Sequence, residues 1–269
     1  MTSQTDDQLP IHDFPIASGV ADFVRNIAAV RTRIAAAAER AGRDAREVRL
    51  LPVSKTVPEE RIRLAVQAGC RELGENKVQE AARKSAALAD LGVRWSVIGH
   101  LQTNKAREVA AFASEFQALD SHRAAAALDR RLQAAGRSLD VFVQVNTSAE
   151  PQKYGLQPDE VGAFLRELPQ YSSLRVRGLM TLAIFTSDEV RVRECFVRLR
   201  TLRDRLRAEN PELIGDGGLS MGMSGDYELA IEEGATCVRV GQAIFGARHV
   251  PDSHYWPGLT DFADGTAAD

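Results

Sequence analysis

The 269-residue chain contains no apolar run approaching the roughly 18 residues a membrane span requires. Its opening, MTSQTDDQLPIHDFP, lacks the basic start and apolar centre of a secretory signal. A cytoplasmic location is therefore the expectation. Surplus positive charge is missing too. The net charge is -3, which gives no electrostatic case for nucleic acid or an anionic membrane. Cysteine is scarce: Cys70, Cys195 and Cys237 are far apart, odd in number and form no CxxC. That argues against a disulfide framework and a zinc site, so buried, inert thiols and no resident metal are expected. Lysine is scarcer than its charge class suggests. It occurs at 55, 77, 84, 105 and 153 against 29 arginines, which makes each lysine informative. No Gly/Pro-rich linker splits the chain, and 44% hydrophobic with 26% charged residues is ordinary for a globular protein able to bury a sizeable core.

What is present is a regular alternation. Phe23, Ile27, Val30 and Ile34 recur at helical spacing, so 20–41 reads as an amphipathic helix stopped by Gly42. The apolar run 48–53 reads as a first strand, and Pro58-Glu59-Glu60 opens a helix. Further strands are predicted at about 71–74, 94–99, 116–119, 139–146, 174–180, 219–222 and 236–240. Helices are predicted at 75–90, 103–113, 121–135, 157–168, 187–209 and 225–233. Eight strands alternating with helices fit a single-domain (β/α)8 TIM-type barrel. An open doubly wound sheet is the rival, but no GxGxxG follows the first strand. The barrel is assigned to 20–249, with 1–19 as a flexible N-terminal arm and 250–269 as a tail.

In such a barrel the strand C-termini face the active site. Lys55 ends the first strand, in LLPVSKT. An amine at the edge of an apolar core loses hydration, its pKa falls, and the neutral form can attack an aldehyde to give an imine. A solvated lysine at a strand end is the plainer alternative. After strand seven comes Met223-Ser224-Gly225, placed at a helix N-terminus, and after strand eight come Gly241 and Gln242 before a short apolar turn. Barrels bind phosphate between these two loops, where free N–H groups accept a dianion. Ser224 offers a hydroxyl, and Gly241 lets backbone approach closely. A helix cap and a turn glycine explain each one singly. Arg239 shares a strand face with Gly241, which suits a pyridine nitrogen in the mouth or a carboxylate inside the barrel. Asn76 can donate to a ligand ring or cap the following helix. His100 is alone, with no obvious partner, and reads as a rim residue. Thr103 reads as a helix cap. Asn146 and Met180, near the ends of strands five and six, are expected to face the mouth, Met180 beside the ligand.

Taken together, LLPVSKT, GENKVQE, WSVIGHLQTNK, VQVNTSAEPQKYG, VRGLM and LSMGMSGDYELAIEEGATCVRVGQAIFGAR resemble the YggS/PROSC-type pyridoxal 5′-phosphate (PLP) homeostasis proteins. The runs stand in family order across about 20–248. The resemblance implies a barrel like the alanine racemase N-terminal domain, without that enzyme's second, β-rich domain. It implies PLP held as an imine on Lys55, its phosphate on Ser224, Gly241 and the Gln242 backbone, Arg239 at the pyridine nitrogen and Asn76 near the ring. Gln242 stands where some relatives carry a small hydroxyl residue. It further implies a role in PLP balance and amino-acid metabolism with no established reaction; a monomer is expected because no second domain is present to build a racemase-type dimer, and PLP-dependent apoenzymes are the partners expected of a carrier. An arginine at the ring nitrogen cannot supply the proton that makes PLP a strong electron sink. Racemases that share it use two acid–base groups, one commonly a tyrosine from another domain or subunit. A low-activity racemase-like enzyme is therefore the alternative to a carrier. A class I aldolase-type barrel using Lys55 on a sugar phosphate is a weaker one.

Overall fold

The structure is a computed structural model and describes residues 14–247. Eight parallel strands form one sheet: β1 (Arg49–Pro52), β2 (Glu72–Glu75), β3 (Arg94–Val97), β4 (Glu115–Leu119), β5 (Leu139–Gln144), β6 (Leu174–Met180), β7 (Gly218–Ser220) and β8 (Cys237–Val240). They run in the order β1-β8-β7-β6-β5-β4-β3-β2. The sheet closes on itself where Val53 bridges Gly74, beside the Ser54 N–H donating to the Gly74 carbonyl at 3.0 Å. The (β/α)8 barrel is thus the observed fold. Strands covered on both faces are buried, and β4 is buried at every residue, including the polar Glu115 and Gln117.

The helices are α1 (Val20–Arg40), α2 (Glu59–Gln67), α3 (Val78–Ala87), α4 (Ala106–Phe112), α5 (His122–Ala134), α6 (Val161–Glu167), α7 (Glu189–Glu209), α8 (Tyr227–Glu232) and α9 (Gln242–Phe245). The α1 stripe is real: Phe23, Val30 and Ile34 are buried, and Ile27 packs on the core. The α7 side chains Val192, Phe196, Leu199 and Leu206 are buried as well. Ser121 caps α5 through the Ala124 N–H, and Asp188 caps α7 through the amides of Val190 and Arg191.

Several boundaries differ from the sequence reading, mostly at the end of the barrel where the strands finish. α3 starts at Val78, not 75, because Glu75 is still strand; its N-cap is Lys77, so Asn76 is not the cap. Thr103 does not cap α4 but opens a 3-10 turn, Thr103–Lys105, and α4 begins at Ala106. α8 begins at Tyr227 behind an N-cap Asp226, so Met223-Ser224-Gly225 belong to the preceding loop. There the Asp226 carboxylate turns back to accept the Met223 N–H at 2.5 Å. Residues 14–19, placed in a flexible arm, are tied to the barrel. The Ala17 N–H donates to the Phe245 carbonyl, the Ala247 N–H to the Phe14 carbonyl, and Arg61 grips the Ala17 carbonyl. Residues 1–13, and the tail 250–269 with 248 and 249, lie outside the described residues.

Candidate functional site

The ends of β1 and β8 are neighbours. Pro52 pairs with Val240, and the Val53 N–H donates to the Val240 carbonyl at 2.9 Å. Two residues on from Val53 is Lys55, half-buried rather than out in bulk water. One residue on from Val240 is Gly241, whose N–H donates to Ser224 Oγ at 3.2 Å. Residues far apart in the chain, Lys55 and the two candidates for an anion site, Ser224 and Gly241, therefore gather at one end of the barrel. Gly241 is also the N-cap of the short α9, which Gln242 opens. A hydroxyl and a backbone amide suit a phosphate dianion, and a half-buried primary amine suits an aldehyde.

Arg239 lies below this rim with only 2% of its surface exposed. Among the described residues it does not pair with a carboxylate, the partner foreseen for it inside the barrel: the guanidinium donates to Ser220 Oγ at 2.6 Å and to the Thr181 carbonyl at 2.8 Å. Ser220 Oγ passes a bond to Gln117 Oε1 at 2.7 Å, and Gln117 Nε2 donates to Glu115 Oε2 at 2.6 Å. Arg49 and Ser96 complete the Glu115 shell at 2.8 Å each. A polar chain thus crosses the barrel interior. Desolvation lowers the Arg239 pKa from its ordinary value, while the charges of Asp226 and Glu115 push the other way. Burial pushes Asp226 up to about 6 against the Met223 N–H bond and the Arg239 charge.

Asn76 is half-buried and sits against Gly99, where a Cβ would lie 2.1 Å from the Asn76 carbonyl oxygen. Only a glycine lets the β3–α4 loop approach Asn76 this closely. Asn146 is buried and spends its amide on the Glu150 carbonyl at 2.8 Å. Met180 is fully buried at the end of β6. All three cysteines are free and buried, and burial raises Cys70 to about 11. Among the described residues no group of side chains is arranged to hold a metal.

Two features went unseen in the sequence. His100 is not alone: its Nδ1 lies 3.4 Å from Asp120 Oδ2, and its ring stacks on Tyr154 with centroids 3.9 Å apart and planes 10° from parallel. These residues come from loops after three different strands, so no spacing could have joined them. The second feature is Lys84, fully buried and paired with Glu75 and Glu80. The scarcity of lysine was its one signal in the sequence, with Glu80 one helical turn before it.

The alanine racemase N-terminal domain family matches residues 26–249. The pyridoxal phosphate homeostasis protein of Pseudomonas aeruginosa is 43% identical over 226 residues, covering 84% of this chain and 96% of that protein. The chain belongs to the pyridoxal phosphate homeostasis protein family. A second member of that family, from Escherichia coli, is 42% identical over 233 residues, covering 84% and 97%. The structure of PipY from Synechococcus elongatus with PLP bound is similar at a TM-score of 0.74 and 35% identity, over 83% of this chain and 100% of that one. Alanine racemase from Streptomyces coelicolor shares the fold at a TM-score of 0.65 and 20% identity; the match takes in 86% of this chain but 59% of the enzyme. No helix among the described residues is long and apolar enough to cross a membrane.

Proposed function

We propose that this chain binds PLP covalently through Lys55 and serves as a cytoplasmic carrier or regulator of the cofactor, without turnover of its own. The observation that carries the reading is the bond from the Gly241 N–H to Ser224 Oγ, at the strand ends that also present a half-buried Lys55. PipY, a relative solved with PLP bound, supports the same cofactor. When bound, PLP supplies an aldehyde that takes up amines reversibly. Ser224, Gly241 and the Gln242 backbone would hold its phosphate, and Arg239 would face the ring nitrogen, its guanidinium already fixed by Ser220 and Thr181. Asn76 and Met180 would complete the walls. An incoming amine would release the cofactor, which suits delivery from a monomeric carrier to PLP-dependent apoenzymes.

The test is the absorption spectrum of the full chain with PLP, before and after borohydride, followed by mapping of the reduced adduct. A visible band lost on reduction, with the adduct on Lys55 and none in Lys55→Ala, is expected. The Lys55→Ala chain should stay folded and keep PLP without a covalent bond. A reducible adduct at the same site in Lys55→Ala would overturn the assignment.

A second reading, a slow racemase-like enzyme, is favoured by one observation. His100, set against Asp120 and stacked on Tyr154, puts an acid–base pair and a phenol on loops at the strand ends.

A further inference from the structure

Residues 54–57 form a tight turn, closed by the Val57 N–H donating to the Ser54 carbonyl at 3.0 Å. Lys55 occupies its first corner and Thr56 its second. Thr56 has φ of 66°, in the left-handed region that such a turn normally fills with glycine. A β-branched residue held there is strained and persists only where its surroundings dictate it.

Those surroundings lead to one side chain. Lys84 Nζ reaches the Ser54 carbonyl, Glu75 Oε1 and Glu80 Oε1, each at 2.7 Å. Three donors meet three acceptors, which satisfies the ammonium fully. Glu80 Oε1 in turn accepts the Thr56 N–H at 2.8 Å. The peptide group before Lys55 is thus held by Lys84 directly, and the peptide group after it through Glu80. Ser54 Oγ adds a bond to Glu75 Oε1 at 2.6 Å, so the same cluster spans the β1–β2 seam where the barrel closes. Burial raises the Glu75 carboxyl above its ordinary range; the Lys84 bond and charge, with the Thr56 N–H, offset burial at Glu80 and keep that carboxyl low. Stability alone does not explain such a cluster, since apolar side chains of similar volume commonly stabilise a core as well as a buried ion pair or better.

We propose that Lys84, acting with Glu80, is a positioning residue for Lys55: it fixes both peptide groups around residue 55 and so sets the direction in which the amine leaves the end of β1. The proposal rests on the reading of Lys55 as the PLP-binding amine.

The experiment measures three quantities in the full chain: the fraction of bound PLP fixed on Lys55 by borohydride, total PLP retained on dialysis, and the melting temperature without PLP. The variants are Lys84→Met, Glu80→Ala and each of these combined with Thr56→Gly. Glu80→Ala leaves Lys84 paired with Glu75, so it decides the matter if Lys84→Met fails to fold. The fixed fraction is expected to fall by about tenfold or more, the factor that accompanies loss of a charge-assisted hydrogen bond. Total PLP should fall far less, because the phosphate cradle is separate. Thr56→Gly, which removes the strain the cluster holds, should restore much of the fixed fraction. An unchanged fixed fraction in Glu80→Ala, or a parallel loss of all three quantities that Thr56→Gly does not repair, would overturn the positioning role. Wild type and Lys55→Ala run alongside. If wild type carries no adduct on Lys55, the site reading itself falls and this proposal with it.

Discussion

At the scale of single residues, the loop proposed to hold phosphate carries a buried carboxyl, Asp226, whose pKa is raised. Asp226 closes the loop that carries Ser224, and its carboxyl sits at about 6 instead of 3.8 because burial disfavours the charge. Between pH 3.8 and about 6 the folded chain therefore holds a proton there that the unfolded chain has lost. Its contribution to stability is fully present below 3.8, declines as pH rises from 3.8 to about 6, and stays lost above that. Asp226→Asn keeps an acceptor for the Met223 N–H and removes the charge. Urea denaturation of both chains from pH 4 to 8 should show the variant gaining on wild type through that window, and PLP affinity at pH 8 should rise in the variant. Arg239 and Lys153 also face Asp226, and both stay in place in this comparison. A constant stability difference across the range would contradict the assignment.

At the scale of elements, the N-terminal segment and α9 depend on each other. Gly246 has φ of 96°, and a Cβ on it would lie 2.5 Å from the Ile16 Cα. The segment 14–18 can cross the end of α9 only because that side chain is absent. α9 also carries the amides next to Gly241, and Phe245 packs edge-on against Phe23 of α1 at 5.5 Å. Gly246→Ala combines overpacking with a conformation that L side chains rarely adopt, and should cost about 1–3 kcal/mol in urea denaturation. PLP affinity should fall with it, because α9 must move. Periodicity located all eight strands and the main helices, since apolar spacing is a local property. It misjudged the starts of α3, α4, α6 and α8; Glu75 is committed to a tertiary bond with Lys84, and Asp226 to a local bond with the Met223 N–H, which spacing of apolar residues does not report.

At the scale of the whole molecule, barrel closure decides what the site can do. The seam between β1 and β2 is where Lys55, Glu75 and Lys84 come together, and the polar chain from Arg239 to Glu115 stiffens the interior beneath. Carrier and racemase readings part on one measurement. With PLP and either L- or D-alanine in deuterated water, the carrier reading expects no exchange at Cα beyond the rate of free PLP. Sustained exchange, lost on His100→Ala or Tyr154→Phe, would make the stacked pair catalytic and favour the enzyme.

The amino-acid sequence alone determined the alternation of strands and helices, the eightfold count, the lysine at the end of β1 and the Ser/Gly loops after β7 and β8. Each of these is written in neighbouring residues or in a short motif. Only the tertiary structure decided that Gly241 and Ser224 touch, that His100 meets Asp120 and Tyr154, and that Lys84 reaches across to the turn holding Lys55. Such pairings join positions on separate elements. Their distances are set by how the sheet closes, and no local spacing encodes that closure.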